Sequence, residues 1–292
     1  MSDLLAADFA RLLKSQVFHG MLLFCVECLM FEVIMGKFND ALSKAYLYDL
    51  MNTNFIIFGI LLAIFIGLFI GSEYSDGTIR NKIIAGNSRT AIYLSNFIIT
   101  VVAGFIMQVI FLILPRVFLP MIFAKADRER KYIRTEFLPS MSYIFQRQLV
   151  GLYIILAYTA IFLLIAMLLN SRSGATAAVM VTAILIFAAG MTVHNSLADY
   201  DPNEPVDEEE TVISEFDIIQ TPVLFGGPPK KLKGPKLKLY LFLDEFLPSA
   251  QSQEVDANKF TEKAPKYVMY DVGVTAVMTS LGMVLYRKKD LK

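Results

Sequence analysis

The sequence is poor in the residues that metal binding, cross-linking and catalysis use. It has two cysteines in 292 residues, and both of them, Cys25 and Cys28, lie in the first long apolar run. The long polar region therefore has no disulfide framework. The only two histidines, His19 and His194, lie far apart in the sequence, and no His-Glu-x-x-His motif occurs. We therefore expect no metalloprotease activity, no catalytic residues and no metal site.

Motifs for nucleotide and nucleic-acid binding are missing as well. No Gly-x-x-x-x-Gly-Lys-Ser/Thr phosphate loop occurs, so this chain is expected to bind neither ATP nor Mg²⁺ by itself. The 27 basic residues balance the 27 acidic ones, and a chain without net charge gives no general signal for nucleic acid. The N-terminal segment carries Asp3 and Asp8 and no cleavage-site pattern, so no removable signal peptide is expected.

The chain is instead rich in apolar residues. Hydrophobic residues make up 55% and charged residues 18%, whereas soluble proteins average about 45–50% and 25%. Several apolar runs approach the roughly 20 residues that cross a bilayer. We predict an all-α integral membrane protein in which residues 1–292 form a single transmembrane domain. Its six transmembrane helices are placed at about 17–35, 55–71, 96–114, 149–169, 175–191 and 268–286.

Residues 2–15, before the first span, predict an amphipathic helix. Its apolar positions repeat at helical spacing and are Leu5, Phe9, Leu12 and Leu13. The charged residues Asp8, Arg11 and Lys14 fall elsewhere on the helix. Such a helix can lie in the membrane interface, and a simple cytoplasmic extension of the first span is the alternative.

Three polar side chains lie inside the predicted spans. Glu27 is near the middle of the first span and Glu32 near its end, and Gln108 lies in the third. A carboxylate at the centre of a bilayer costs about 2.5–3.5 kcal/mol on insertion scales, so it is expected to face protein or water. All three are candidates for a transport path, and a structural hydrogen bond is the alternative for Glu27. A sulfur-rich stripe in the same span is interpreted as a packing face and not as a soft-metal site; it consists of Met21, Cys25, Cys28, Glu32 and Met35.

The longest polar region, residues 194–266, is predicted to be an insertion of mixed or irregular structure between the fifth and sixth spans. Its acidic part, around 199–210, is typical of a flexible segment. Residues 236–243 alternate as a strand does, but the same stretch also fits a helix, and the sequence leaves both possibilities open.

Residues 72–96, SEYSDGTIRNKIIAGNSRTAIYLSN, form a polar stretch between the second and third spans. Asp76-Gly77-Thr78 provides a turn with capping side chains and Gly86-Asn87 provides a stop, so a short helix is predicted from Thr78 to Ala85. Its apolar side is predicted to carry Ile79, Ile83 and Ile84, and its basic polar side Arg80, Asn81 and Lys82.

The run Glu-Tyr-Ser-Asp-Gly-Thr-Ile-Arg-Asn-Lys at 73–82, followed by Ser-Arg-Thr-Ala-Ile-Tyr-Leu-Ser-Asn at 88–96, resembles the cytoplasmic loop of ABC transporter permeases of the type 2 exporter class. In that family the short helix is a coupling helix that docks into a groove on a separate ATPase subunit. The resemblance implies that residues 72–95 are a cytoplasmic coupling loop. The residues that it implies for contact with the ATPase subunit are Glu73, Asp76, Gly77, Thr78, Ile79, Arg80, Asn81, Lys82 and Arg89.

The same resemblance implies an exporter permease of the bacterial cytoplasmic membrane. Its cargo would be amphipathic or hydrophobic, such as a peptide antibiotic or toxin, a drug or a lipid-like molecule. A second permease, identical or homologous, would complete a dimer, and ATP and Mg²⁺ would be bound by the partner ATPase.

The resemblance also supplies the orientation, with both termini in the cytoplasm and residues 194–266 outside. The positive-inside rule does not decide it, because basic residues are about equally frequent on the two sides of the membrane in the shorter loops. An alternative interpretation of the long insertion is a non-transporting membrane sensor or scaffold, whose external domain binds a peptide or lipid ligand.

Overall fold

The structure, a computed structural model, describes residues 1–38, 55–123, 141–197, 234–257 and 260–289. Every regular element in these ranges is an α-helix, in agreement with the predicted all-α class. In chain order the helices are α1 (Ser2–Lys14), α2 (Gln16–Phe38), α3 (Phe55–Ser75), α4 (Thr78–Ile84), α5 (Arg89–Phe123), α6 (Met141–Leu168), α7 (Arg172–Ser196), α8 (Gly234–Phe246), α9 (Pro248–Asp256) and α10 (Ala264–Lys288).

Among the described residues, five helices are long and apolar enough to cross a membrane, namely α3, α5, α6, α7 and α10. Helices α1 and α2 meet at a bend of 53°, and the two together would supply a sixth segment of sufficient length. The chain is therefore a multi-pass membrane protein, and all regular elements of its described part are helices.

Helix α3 is the centre of the bundle. It is the most apolar of the five long helices and packs against α7, α6 and α9. Gly67 and Gly71 face α7, where an added Cβ atom would lie 2.9 Å from the Cα atoms of Thr176 and Arg172 respectively. Because lipid provides no hydrophobic drive for helix association, such small residues stabilise the contact by allowing a close approach of the two backbones.

Helix α10 packs along α6 and also contacts α5. Gly282 lies against Tyr93 of α5, whose side chain is completely buried, and a Cβ atom at Gly282 would overlap the tyrosine ring. Most of the apolar surface of α10, and likewise of α7, nevertheless points away from the bundle. These two helices therefore contribute much of the surface that is available to lipid or to another membrane protein.

The described part of the long polar region is mainly helical and contains no strand. Residues 236–243, which fit a strand or a helix, lie within α8. A helix brings Phe242 and Phe246 together, with ring centroids 5.3 Å apart, and places Tyr270 of α10 edge-on against both rings. The i, i+4 aromatic pair and its contact with α10 stabilise the helix over the strand. Residues 198–233 lie outside the described residues.

The third span is predicted at about 96–114, and helix α5, which contains it, extends from Arg89 to Phe123. The buried side of α1 differs from expectation. Helix α1 forms as predicted, yet its buried face carries Leu4, Asp8 and Leu12, spaced four residues apart. Phe9 and Leu13, which belong to the predicted apolar face, are 41% and 51% exposed. Helix α1 thus directs a carboxylate inward and an apolar edge outward.

Candidate functional site

Helix α4 lies at the end of the bundle where α3 ends and α5 begins. Gly77 precedes it with a φ of 67° and Gly86 follows it with a φ of 88°, and glycine is the residue that adopts this left-handed region most readily. The backbone N–H and the side-chain amide of Asn87 both donate to the carbonyl oxygen of Lys82, at 3.2 and 3.0 Å. The predicted turn and stop positions are confirmed as the two ends of this helix, but the predicted capping is not, because Gly77 is the N-cap and no side chain caps it.

The predicted division of α4 into an apolar and a basic side is wrong at two positions. Lys82 is buried together with Ile79, whereas Ile84 is 75% exposed. Arg80 and Asn81 are exposed, as predicted. Since residues three apart lie on the same side of a helix, the inward position of Ile79 also brings Lys82 inward. The outer surface of α4 therefore carries one cation, one amide and one isoleucine.

Lys82 is the centre of a buried ion network. Its Nζ atom lies 2.5 Å from Oε1 of Glu73 in α3 and 2.7 Å from Oδ1 of Asp8 in α1. Asn96 of α5 donates from Nδ2 to Oε2 of Glu73, and Ser95 donates from Oγ to Oδ2 of Asp8, both at 2.6 Å. Both carboxylates are almost completely buried, so these cations and donors replace the hydration that the carboxylates lose.

Arg11 of α1 supplies the second cation of the network. One of its terminal nitrogens lies 2.5 Å from Oε1 of Glu73, and its guanidinium carbon lies 4.1 Å from the ring centroid of Phe69. Two cations thus face two carboxylates, and the four charges balance. The network connects α4 to three other helices, α1, α3 and α5.

The other residues that were predicted to contact an ATPase occupy different surroundings. Asp76 is exposed, Gly77 and Thr78 are half-buried, and Glu73 is completely buried in the ion network. Arg89 donates to the carbonyl oxygens of Arg287, at 3.1 Å, and of Lys289 at the end of α10. Only part of the predicted set is therefore accessible, and Glu73, Ile79 and Lys82 instead attach α4 to the bundle.

The end of α10 is held at the same end of the bundle by Lys289. Its Nζ atom donates to the carbonyl oxygens of Met167 and Leu169, at 2.8 and 3.1 Å, and to the hydroxyl of Tyr74 at 3.0 Å. Burial lowers the pKa of Lys289 to about 8. The C-terminal end of α10 is thereby tied to α3 and α6, close to the elements that hold α4.

The two described candidates for a transport path, Glu27 and Gln108, have different surroundings. Glu27 of α2 is exposed at the outer surface of this chain. Gln108 is buried between α5 and α6, where its Nε2 donates to Oε1 of Gln148 at 2.9 Å and to the Gln148 carbonyl at 3.2 Å. The side chain of Glu32 lies outside the described residues.

Sequence reasoning missed four members of the ion network: Asp8, Arg11, Ser95 and Asn96. A signal was present at Asp8, which is spaced four residues from Leu4 and from Leu12 and so shares their buried side. No comparable signal marked Ser95 and Asn96, since polar residues at the start of a span are common. Their role depends on the positions of helices that are distant in the sequence.

The opposite end of the bundle is fixed by another ion pair. Asp256, at the end of α9, accepts hydrogen bonds from the backbone N–H groups of Phe55 and Ile56, at 3.2 and 3.4 Å. Arg147 of α6 lies 3.2 Å from the same carboxylate. A carboxylate stabilises the beginning of a helix because the first N–H groups have no partner within it. Helix α9 is in this way attached to the start of the central helix α3.

No protein-family model matches the chain, and neither a curated protein nor a solved structure matches it.

Proposed function

We propose that the chain is the membrane-spanning permease subunit of an ATP-driven exporter, and that α4 is its contact with a separate ATPase subunit. The observation that carries the proposal is the position of α4: it presents exposed residues at the end of the bundle while its buried side is joined to three other helices. A docking element needs both properties, an accessible surface and a firm connection to the transmembrane helices.

The ion network gives a physical basis for the connection. Breaking a buried ion pair by removing one partner costs about 3–5 kcal/mol. Separation of α4 from Asp8 and Glu73, the partners of Lys82, would therefore be energetically expensive. A displacement of α4 by nucleotide-driven closure of the ATPase would therefore carry α3 and α1 with it. The permease would open its path through movement of these two helices.

The surface of α4 fits a protein groove. Ile84 is 75% exposed and lies beside Arg80 and Asn81, so an apolar anchor is flanked by a cation and an amide. Exposed isolated apolar residues are common, but aromatic or aliphatic anchors surrounded by polar residues are also the usual centre of protein interfaces. The ATPase would bind ATP and Mg²⁺, and this chain would bind neither.

In this proposal α2 forms the sixth span, with α1 in the membrane interface before it, and both termini lie on the α4 side in the cytoplasm of a bacterial cell. A second permease copy, or a homologous permease, would cover the exposed carboxylate of Glu27, because an unpaired charge facing lipid costs about 2.5–3.5 kcal/mol. An amphipathic or hydrophobic cargo would then pass between the two subunits.

Co-purification with a separate ATPase subunit tests the proposal. Arg80→Glu and Ile84→Asp should abolish the complex and the transport-coupled ATP hydrolysis, because they change the accessible side of α4. Lys14→Glu is the matched control, since Lys14 is exposed on α1; it should leave both unchanged. A complex that survives both α4 substitutions would count against the docking role. Isolation of a histidine kinase in place of an ATPase would favour the sensor interpretation.

A further inference from the structure

Three side chains with metal-ligating atoms converge at the end of the bundle opposite α4. His194 lies near the end of α7, Asp244 in α8 and Glu254 in α9. The Nδ1 atom of His194 lies 3.7 Å from Oδ1 of Asp244 and 3.5 Å from Oε1 of Glu254, and all three atoms lie within 4.8 Å of one another. Three different helices thus bring one imidazole nitrogen and two carboxylate oxygens together.

Lys263 binds the same two carboxylates, but through their other oxygens. Its Nζ atom lies 3.2 Å from Oδ2 of Asp244 and 3.4 Å from Oε2 of Glu254. The oxygens that face His194 are therefore not those that the lysine uses. Asp244 is only 3% exposed, and within the described residues its Oδ1 atom has no hydrogen-bond donor. An almost completely buried carboxylate oxygen consequently points at the imidazole without a partner at hydrogen-bond distance.

We propose that His194, Asp244 and Glu254 form a binding site for a divalent transition-metal ion of the Zn²⁺ class. Zn²⁺ binds imidazole nitrogen and carboxylate oxygen at about 2.0–2.2 Å, so two ligands of a tetrahedral site are separated by roughly 3.3–3.6 Å. The separations of 3.5 and 3.7 Å at His194 are close to that range. They are too long for good hydrogen bonds but well suited to an ion between the atoms.

The composition of the site selects the class of metal. Ca²⁺ and Mg²⁺ prefer sites made only of oxygen ligands, whereas an imidazole with two carboxylates suits Zn²⁺ and related borderline ions. His194 keeps 24% of its side chain exposed, so water can reach the site and occupy a fourth position. The site is formed by protein residues that neither the ion network nor α4 uses, so it does not depend on the proposed function.

The charge of the cluster also favours a cation. Asp244 and Glu254 carry two negative charges when ionised, and Lys263 neutralises one of them. A metal ion between His194 and the two carboxylates would supply the second positive charge.

The experiment uses the full chain, purified in detergent, stripped with a chelator and equilibrated with micromolar free Zn²⁺. Bound metal is measured by elemental analysis after dialysis, and affinity by competition with a chromophoric chelator. One equivalent of Zn²⁺ per chain is expected. His194→Ala and Asp244→Asn should each weaken binding by about 100-fold or more, because even the loss of an outer-shell partner costs 10–100-fold.

Two further variants keep the test informative if a ligand substitution impairs folding. Lys263→Gln removes a competing cation without removing a ligand, so it should bind Zn²⁺ more tightly than the wild type does. Glu245→Gln is the matched control: Glu245 is a neighbouring carboxylate of α8 that pairs with Lys266 at 2.7 Å, and its loss should leave Zn²⁺ affinity unchanged. Substoichiometric binding by the wild type, or equal binding by His194→Ala, would overturn the proposal.

Discussion

The two ends of the bundle carry polar clusters of opposite character. At the α4 end, Lys82 and Arg11 balance Asp8 and Glu73, and the two carboxylates have only slight exposure. At the other end, Asp244 and Glu254 face a single lysine, Lys263, which is 35% exposed. A closed, balanced network resists change and suits a mechanical connection. A cluster with excess negative charge and access to water suits the exchange of a cation or a proton.

The largest expected effect comes from breaking the closed network. Lys82→Met would leave Asp8 and Glu73 buried with only Arg11 as a cation, and should reduce the free energy of unfolding by about 3–5 kcal/mol. Thermal unfolding of the purified protein in detergent measures it. Arg80→Met, on the exposed side of the same helix, should change stability by less than about 0.5 kcal/mol. Equal effects of the two substitutions would show that the network does not fasten α4.

The second largest expected effect on stability concerns the packing of α10 against α5 at the α4 end of the bundle. Gly282→Ala would place a methyl group against the buried ring of Tyr93, and should destabilise the protein by about 1–3 kcal/mol because the ring has no room to move. Gly273→Ala, in the same helix, has no atom within 4 Å of the added carbon. It should be neutral or slightly stabilising, since alanine favours helices over glycine. Both substitutions replace glycine by alanine in α10, so they change helix propensity alike. The difference between the two apparent unfolding temperatures therefore reports the contact with Tyr93.

A smaller expected effect concerns the pKa values of two lysines, one at each end of the bundle. Burial lowers the pKa of Lys289 to about 8. Burial alone would also lower the pKa of Lys263, but its pairing with Glu254 and Asp244 raises that pKa above the ordinary 10.5. Between about pH 8 and 10.5 the unfolded chain binds a proton at position 289 that the folded chain has lost. The contribution of Lys289 to stability should therefore rise with pH in this window, whereas that of Lys263 is constant until the pH exceeds 10.5 and then falls.

Carbon-13 dimethylation of the lysines and NMR titration would measure both values directly, with Lys289→Arg and Lys263→Arg to assign the signals. The expected midpoints lie near 8 for Lys289 and above 10.5 for Lys263. In unfolding experiments, Lys289→Met should remove the rising contribution between pH 8 and 10.5, and Lys263→Met should leave it in place. Similar titration midpoints for the two lysines would contradict the predicted difference between the two ends of the bundle.

The comparison also shows which features the sequence could reveal. The apolar runs identified the spanning helices because membrane crossing depends on length and composition, which are local properties. Gly77 and Gly86 identified the limits of α4 for the same reason, because a glycine with positive φ ends a helix at its own position. Both features could be predicted without knowledge of the rest of the fold.

The features that were missed depend on distant partners. When α4 is considered alone, Lys82 is assigned to a basic surface, whereas in the fold it lies on the same side as Ile79 and pairs with Asp8 and Glu73. His194 is similarly far in sequence from its neighbours Asp244 and Glu254. Helix α8, which brings Asp244 to it, contains residues 236–243, which fit a strand or a helix from the sequence. Pairing between residues far apart in the chain requires the helix arrangement, which no local pattern encodes.

The smallest expected effect tests how α1 and α4, at the same end of the bundle, meet the membrane surface. The chain contains no tryptophan, so a single introduced tryptophan is a unique fluorescent probe. Phe9 is 41% exposed on the outward, apolar edge of α1, and Ile84 is 75% exposed on α4. In lipid vesicles, Phe9→Trp should emit at shorter wavelength and be quenched by brominated lipid, because indole partitions into the interface. Ile84→Trp should emit as in water and escape that quenching, since the proposed docking surface lies beyond the bilayer. Neither substitution should change stability by more than about 0.5 kcal/mol. If both probes are quenched alike, α4 lies in the membrane surface beside α1, and its exposed side is then a lipid contact and not a site for an ATPase.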